Sequence, residues 1–552
     1  MHYALGLILF MCSFLQSFNT LPWRAAHSEV FAFLAVVIWG WHATRRNAVQ
    51  VRLNMPIFAL LCMGLLIAIQ YATGQIVFGG DAVILLLYVC LCSITLLIAQ
   101  WHGNDEAWPK ILAFTLLLIA LASALIALSQ ALGVWANSGW TLQSRGFRRP
   151  GANIGQANHL GTLLVMGAAS LIYLDQRLEI SRFLKILLSL ILLVGMGITE
   201  SRTGLLSGIV LCLWWWSRRQ VFTHPLQWRW VVAGALALVA IVWIWPPLIS
   251  HIQEAGPLSK EVTLNTSAGV RVDVWRQLWE AAWIKPWMGW GLGGVSTALN
   301  AVQHNYAQSS PFTYAHNVIL DMVVGIGFPL AAFAVCVAGV WVWRRVKNAQ
   351  TTESWYAVGL LAPFWIHSLF EYPFAYAYLL VPAMLAIGML EQGDEPPIRI
   401  IIPRKTILGV LILFGSFLIW VGVEYIDIEE DFTVARFESL NVGQRPAGYE
   451  PPNIVLLTQL KAMVAAIRTT PKPNMSREEI DLLRTATLRF PWAPVQNTYA
   501  LSLALNDDTQ EAIRQLRVMR AAHGEKVYER IKANWTELAH TKYPQLKILT
   551  LP

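Results

Sequence analysis

Long apolar segments alternate with short polar loops over most of the chain. A membrane-spanning helix needs ~20 mainly apolar residues, and about thirteen segments approach that requirement. They are residues 3–18, 28–43, 54–72, 81–99, 110–135, 158–174, 184–199, 203–217, 229–247, 316–343, 354–371, 375–390 and 405–425. The pattern predicts an all-α polytopic membrane protein with about 13 transmembrane helices.

Positive charge is spread unevenly over the loops. Every second loop is rich in Lys and Arg, as is typical of the cytoplasmic side of a membrane. These loops are 44–53, 100–109, 175–183, 218–228, 344–353 and 391–404, of which 100–109 is neutral evidence. With the N-terminus inside, thirteen crossings place residues 426–552 outside, in the periplasm if the cell is Gram-negative.

The opposite loops carry positive side chains that the same rule disfavours. These side chains belong to Arg145, Arg148, Arg149, Arg202, Arg271, Arg276 and His316. Positive charge kept outside against the insertion bias indicates a function there, and the obvious one is binding an anion.

For three of these arginines the sequence also allows an explanation that involves no ligand. Arg202 lies in the turn 199–204, between two segments too short to cross a bilayer. The turn is predicted to lie below the outer surface and to face a cavity, although the side chain could instead extend to the interface. Arg271 and Arg276 lie in the external segment 248–315. Their guanidinium groups could bind phosphate, or be solvated on an amphipathic surface helix.

Polar residues at other outer helix ends are further candidates. Gln156, Asn158 and His159 could hydrogen-bond a ligand at a helix N-terminus, or could cap that helix. His316 begins a predicted span, where the helix dipole favours the neutral imidazole that a general base needs. It could also be an interfacial histidine satisfied by water. Tyr372 could bind a phosphate or sugar, or could belong to the aromatic belt of the membrane.

The tail, residues 426–552, is richer in charge and shows amphipathic patterns. They predict helices over 453–468, 477–489, 496–505, 508–522 and 524–540. Ser476 and Glu479 match a capping box. One helix pair, over 499–516, resembles a tetratricopeptide repeat. We therefore expect a C-terminal all-α soluble domain, with a TPR-like pair as the more specific hypothesis.

Composition narrows the functional classes. Charged residues make up 13% of the chain, about half their share in soluble domains. The net charge of +8 is mostly explained by cytoplasmic loops, and no basic stripe suggests nucleic-acid binding. The six cysteines lie in apolar segments without metal-ligand spacing, so we expect neither a disulfide framework nor a zinc site. No cofactor motif is found.

Six short motifs follow in order between residues 145 and 375. They are Gly155-Gln-Ala-Asn-His-Leu-Gly161, Glu200-Ser-Arg-Thr-Gly204, Arg271 with Trp275, Pro286-Trp-Met-Gly-Trp-Gly-Leu-Gly293, His316-Asn317 with Gly325-Ile-Gly327, and Glu371-Tyr-Pro373. With them the chain resembles the bacterial O-antigen ligase and O-oligosaccharyltransferase superfamily, specifically the branch that O-glycosylates pilin-type proteins. The resemblance implies a GT-C-like transmembrane catalytic domain over 1–425 and a periplasmic helical domain over 426–552.

The resemblance also implies a reaction. A glycan would be transferred en bloc, without a metal, from undecaprenyl-pyrophosphate to an acceptor hydroxyl. His316 would be the general base, Arg202 and Arg271 the pyrophosphate ligands, and Gln156 and Tyr372 further contacts with the donor. The expected partners are the lipid-linked oligosaccharide, an acceptor protein such as a pilin, and membrane lipid.

Other interpretations remain open. Asn158, Arg149 and Arg276 are substrate-binding candidates by their position. The acceptor could instead be lipid A-core, as for an O-antigen ligase, or a growing chain, as for an O-antigen polymerase. A lipid-anion transporter is more remote, because its charged residues should line a path across the whole bilayer. A non-catalytic scaffold would leave the external arginines unexplained.

Overall fold

The structure, a computed structural model, describes residues 2–44, 48–102, 105–135, 138–142, 149–224, 227–252, 268–392, 398–443 and 448–552. Arg145 and Arg148, as well as residues 253–267 of the predicted external segment, lie outside these ranges.

Helices dominate the described chain. In chain order, α1 to α21 cover His2–Leu15, Ala26–Ala43, Met55–Ala72, Gly79–Trp101, Ala107–Ala131, Ala157–Leu178, Arg182–Thr199, Arg202–Ser217, Trp228–Ile252, Ala268–Ile284, Val295–Val302, Val318–Ile326, Phe328–Asn348, Thr352–Ser368, Ala377–Leu390, Arg404–Ser439, Thr458–Arg468, Arg477–Arg489, Ala493–Leu505, Thr509–His523 and Glu525–Thr541. Eight of the described helices are long and apolar enough to cross a membrane, namely α3 to α7, α9, α13 and α16. The predicted all-α polytopic membrane protein is confirmed, whereas the count of about 13 spans stays a prediction.

The prediction of one continuous span over 316–343 is wrong. Helix α12 ends at Ile326 and α13 begins at Phe328. Between them Gly327 has φ +79°, a left-handed conformation that glycine adopts without steric cost. Pro329 then lacks the amide hydrogen that a continuous helix would require. With nine residues, α12 is too short to cross a bilayer.

Two short strands interrupt the all-helical pattern. Strand β1 (Ala48–Leu53) pairs antiparallel with β2 (Ile398–Pro403), and Val51 lies opposite Ile400. Both strands fall in segments that were predicted to be cytoplasmic loops. The pair therefore fastens together two loops that are far apart in the sequence.

The chain forms two compact units. The first contains Met1–Met63, Tyr88–Leu264 and Gly339–Ile419, and the second contains Gly64–Leu87, Asn265–Ala338 and Trp420–Pro552. The units group residues by packing, whereas the predicted division between residues 425 and 426 groups them by side of the membrane. That division falls within α16 and stays a prediction.

Helix α6 lies at the centre of the first unit, packed against α5, α7, α8 and α14. Glycines allow the close approach. A Cβ added to Gly161 would lie 2.9 Å from Ser201 Oγ, and one added to Gly167 would lie 2.4 Å from Ala120 Cβ. The N-terminal turn of α6 and the start of α8 are thereby held side by side.

In the second unit α10, α11 and α12 share a buried core that includes Val274, Leu299 and Val324. The tail helices α17 to α21 match the five predicted helices closely. The predicted capping box is confirmed, because Ser476 Oγ accepts from Glu479 N at 3.1 Å and Glu479 Oε2 accepts from Ser476 N at 2.8 Å.

Candidate active site

In the first unit, Asn158 joins three segments that the sequence singled out separately. Its Oδ1 accepts hydrogen bonds from Arg149 Nη2 at 3.2 Å and from Ser201 Oγ at 2.8 Å, and its Nδ2 donates to Glu371 Oε1 at 3.1 Å. Arg149 Nε also donates to the carbonyl of Thr199 at 3.0 Å. We call Asn158 and its three side-chain partners the Asn158 hub. Its side chain is used in these bonds, so the helix-capping interpretation of Asn158 is wrong.

Arg202 follows directly on the hub. Ser201 Oγ accepts from Gly204 N at 3.1 Å and so caps α8, while Glu200 turns the chain with φ +48°. The predicted turn lies between α7 and α8, and Arg202 is the first residue of α8. The expectation that the segment before the turn is too short to cross a bilayer is wrong, because α7 has 18 residues and is apolar enough to span. The predicted depth of the turn stays a prediction. Its exposed side chain makes no hydrogen bond or ion pair with another described residue. The cap fixes the backbone of Arg202 at the start of α8, and its side chain is exposed.

In the chain, Gln156 lies two residues before Asn158, and Tyr372 directly follows Glu371. Gln156 occupies the N-cap position of α6 in an extended conformation, and its half-buried side chain makes no capping bond. Tyr372 stacks on Tyr376 with ring centroids 5.9 Å apart, and Tyr376 in turn packs edge-on against His159 at 4.5 Å. Both candidate donor contacts thus belong to well-packed segments.

A buried polar group that sequence reasoning missed holds the segment after Tyr372. Glu29 Oε2 accepts from Tyr88 Oη at 2.6 Å and from Ala377 N at 2.8 Å. A carboxylate inside a predicted span is rare and costly, and this was the signal that could have revealed it. His159, fully buried, pairs through Nδ1 with Tyr378 Oη at 2.8 Å, which gives this histidine a structural role.

In the second unit, His316 lies on a turn before α12 rather than on the helix itself. Its φ is +54°, and Asn317 is the N-cap, whose Oδ1 accepts from Leu320 N at 3.0 Å. The ring of Phe312 packs against the imidazole with centroids 4.4 Å apart. The prediction that His316 begins the helix is therefore off by two residues, because α12 begins at Val318.

Helix α10 is tied to this turn. Trp275 Nε1 donates to the carbonyl of Ala315 at 2.6 Å, and Arg271 lies one helical turn before Trp275, on the same side of α10. Arg276 is exposed and lies instead near Tyr306, whose hydroxyl donates to Glu280. Arg271 therefore lies on the side of α10 that carries Trp275, whereas Arg276 lies near Tyr306.

The glycine-rich run after Pro286 supports α12. Trp290 N donates to Val324 O at 2.7 Å and Gly291 N donates to Gly325 O at 3.1 Å. A Cβ on Gly289 would lie 2.6 Å from Val324 O, so only glycine permits this backbone-to-backbone contact. These glycines therefore allow the close packing of this run against α12.

Gln70 is a second residue that sequence reasoning missed. Its side chain donates to Gly325 O at 3.0 Å and accepts from Leu292 N at 2.9 Å. It is buried at the end of α3, and a polar residue at that place in a predicted span was the available signal.

The chain is similar to two known protein families and to two named proteins. Residues 187–335 match the O-antigen ligase family, and residues 355–537 match the family described as the C-terminal part of a virulence factor membrane-bound polymerase. A general O-oligosaccharyltransferase of Acinetobacter baylyi is 24% identical over 537 residues, covering 94% of this chain and 91% of that protein. A ComP-specific O-oligosaccharyltransferase of the same organism is 26% identical over 341 residues, 60% of each chain.

The chain is an O-oligosaccharyltransferase, and its residues 187–335 match the O-antigen ligase family.

It is therefore a glycosyltransferase, and the predicted recognition is confirmed. The O-antigen ligase match of this oligosaccharyltransferase contains Arg202, Arg271 and His316, and the polymerase match contains Tyr372. Arg202 and Tyr372 belong to the first unit, and Arg271 and His316 to the second. Their predicted roles in one reaction stay a hypothesis.

Proposed function

We propose that this oligosaccharyltransferase transfers an oligosaccharide en bloc from undecaprenyl-pyrophosphate to a Ser or Thr hydroxyl of a periplasmic, pilin-type protein. Two observations support a protein acceptor. The general O-oligosaccharyltransferase matches nearly the whole chain, including the tail, and the tail forms a compact helical platform in the second unit.

In the proposed reaction the acceptor oxygen attacks the anomeric carbon of the first sugar. The bond from that carbon to the pyrophosphate oxygen breaks, and undecaprenyl-pyrophosphate leaves with the electron pair. His316 takes the hydroxyl proton. Arg202 and Arg271 stabilise the charge on the leaving pyrophosphate, for which the planar guanidinium fork is well suited. Gln156, Asn158, Arg149 and Tyr372 make or support further donor contacts, while Arg276 stays a weaker candidate.

The proposed role of His316 as general base rests on one observation, the fixed position of its backbone. A general base acts efficiently only when it is held within reach of the proton it removes. The His316 turn is held through Ala315 and capped by Asn317. Another histidine of the external segment, His304, lies outside this turn, and partial burial, with Arg514 and Arg517 nearby, lowers its pKa.

We also propose that the protein lies in the bacterial inner membrane, with a catalytic transmembrane domain over 1–425 and a helical domain over 426–552 facing the periplasm. The Lys and Arg excess of alternate loops supports this orientation. An alkaline phosphatase fusion after Ser439, where α16 ends, should be active. An inactive fusion would place the tail in the cytoplasm.

The function is tested by expressing the full chain in cells that make an undecaprenyl-pyrophosphate-linked glycan and a periplasmic pilin. Wild type should add the glycan to the pilin. His316→Ala should lower the rate about 10²–10⁴-fold, the usual contribution of a general base, while His304→Ala should remain close to wild type. Transfer by His316→Ala at the wild-type rate would overturn the base assignment.

The same cells distinguish the alternative acceptors. An O-antigen ligase would add the glycan to lipid A-core, which shows as a ladder of lipopolysaccharide bands. A polymerase would lengthen the lipid-linked glycan without adding it to any acceptor. Glycosylated pilin without either product supports the proposed acceptor, and either product in place of glycosylated pilin would contradict it.

A further inference from the structure

The residue before His316 is held on both sides of its backbone. Ala315 is fully buried. Its N–H donates to Asp321 Oδ2 at 3.0 Å, and its carbonyl accepts from Trp275 Nε1 at 2.6 Å. Side chains of two different helices, α10 and α12, therefore hydrogen-bond the backbone N–H and C=O groups of this one buried residue.

This arrangement bears directly on the conformation of His316. Its φ of +54° is a left-handed conformation that residues other than glycine adopt only when the surroundings enforce it. Asn317, on the other side, is fixed as the N-cap of α12. The contacts of Ala315 supply the constraint on the preceding side.

We propose that Asp321 is a positioning residue for the candidate base. Its carboxylate accepts the Ala315 N–H and holds the backbone that presents His316, and Trp275 completes the clamp from α10. We call Asp321, Trp275 and Ala315 the Ala315 clamp. The inference rests on the proposed role of His316, and it assigns Asp321 no proton transfer of its own.

The placement of Asp321 supports a backbone role. It lies in the first turn of α12, close to the backbone N–H groups that a helix start leaves without partners inside the helix. It is also the only carboxylate in the apolar run from Val318 to Trp343. An intramembrane or interfacial carboxylate in such a run normally has a specific partner, and here that partner is a peptide N–H.

Two substitutions distinguish the hydrogen-bond acceptor of Asp321 from its ionisable carboxyl group. Asp321→Asn removes the ionisable group and keeps an acceptor oxygen, whereas Asp321→Leu removes both. The full chain in lipid nanodiscs would be assayed with a synthetic undecaprenyl-pyrophosphate trisaccharide and a purified pilin. Asp321→Leu should lower kcat at least tenfold, the effect expected when a buried N–H loses its acceptor, and should leave KM for the donor nearly unchanged. Asp321→Asn should keep most of kcat, because its amide oxygen can accept the same bond, and should keep the wild-type pH profile of kcat.

Trp275→Phe removes the other half of the clamp and keeps the ring, so it should lower kcat by about fivefold, the effect of one lost hydrogen bond. Trp279→Phe is the matched control. It is also on α10 but half-exposed, and it should behave as wild type. Hydrogen exchange of the Ala315 amide, measured on the same samples, should be faster in Asp321→Leu and unchanged in Asp321→Asn.

Two results would overturn the clamp: Asp321→Asn as inactive as Asp321→Leu, or Ala315 exchange unaffected by Asp321→Leu. A shifted pH profile in Asp321→Asn would instead assign the carboxylate a proton-transfer role and would also contradict the proposal. Failure of the proposed function looks different, since His316→Ala would then be fully active while the exchange measurements would still report on the clamp.

Discussion

The candidate residues of the first unit are joined by side chains, whereas the candidate base of the second unit is held through the backbone. In the Asn158 hub one amide group bonds Arg149, Ser201 and Glu371. Around His316 the partners are peptide groups, held by Asp321 and Trp275 and by glycines that allow backbone contact.

The difference fits the two proposed tasks. A catalytic base must be held in one geometry, because a misplacement of about 1 Å can cost 10²-fold in rate. Backbone contacts provide that precision. An arginine that binds a leaving pyrophosphate needs a fixed backbone and a guanidinium group that can reach the ligand, and Arg202 has a capped backbone and an exposed side chain. The comparison therefore predicts that loss of a polar side chain of the hub disturbs the first region, and that a Cβ added at the α12–α13 junction disturbs the second.

Asn158→Leu should have the largest effect on stability. It removes the hydrogen bonds of Asn158 to Arg149, Ser201 and Glu371. Arg149 and Glu371 are charged, and Glu371 is also buried. We expect a loss of about 3–5 kcal/mol, measured as a lower thermal unfolding midpoint in detergent. Gln156→Leu, two residues earlier and without a capping bond, is the control and should unfold near the wild-type midpoint. Equal midpoints for the two variants would show that the hub does not organise the first unit.

Gly327→Ala tests the backbone-held region. The new Cβ would lie 2.4 Å from Trp287 O on a residue with φ +79°, so the cost should be about 2–4 kcal/mol. Gly339→Ala in α13 is matched to it, because no atom lies within 4 Å of its Cβ position, and it should be neutral or slightly stabilising. If both glycines tolerate alanine equally, backbone packing does not hold the α12–α13 junction.

Arg202→Lys should reduce activity rather than stability. The exposed side chain makes no bond within the described chain, so its removal should leave the unfolding midpoint unchanged. A lysine cannot replace the bidentate fork, and we expect glycan transfer to fall about 10–100-fold, or ~1.4–2.7 kcal/mol. Arg182→Lys, an exposed arginine at the start of α7, is the control. Full activity of Arg202→Lys would point to an interfacial role.

Local patterns in the sequence predicted much of this molecule. The tail helices and the Ser476 capping box follow from amphipathic spacing and the residue types near helix starts. The turn before Arg202 follows from the polar break at residues 199–204 between two apolar segments. These features depend on neighbours in the chain, which a sequence displays directly.

Contacts between distant segments were not predictable in the same way. Nothing in the spacing shows that Asn158 bonds Ser201 and Glu371, or that Gln70 bonds Gly325. Some missed features did leave a trace. In β1 Val49 and Val51 alternate with polar residues, a period-two pattern typical of a strand, and the Gly327-Phe-Pro sequence marks the break between α12 and α13.

The smallest expected effect is on pH dependence. In the second unit, burial lowers the pKa of His523, at the end of α20, below its ordinary value of 6.5. Between the two pKa values the unfolded chain binds more protons than the folded one, so stability should fall as the pH drops below about 6.5. The unfolding midpoint of the full chain, compared at pH 7.5 and about pH 5.5, should therefore decrease. His523→Gln should reduce that decrease, and His540→Gln, an exposed histidine in α21, should not. A decrease of the same size in all three proteins would mean that other groups control the acid sensitivity.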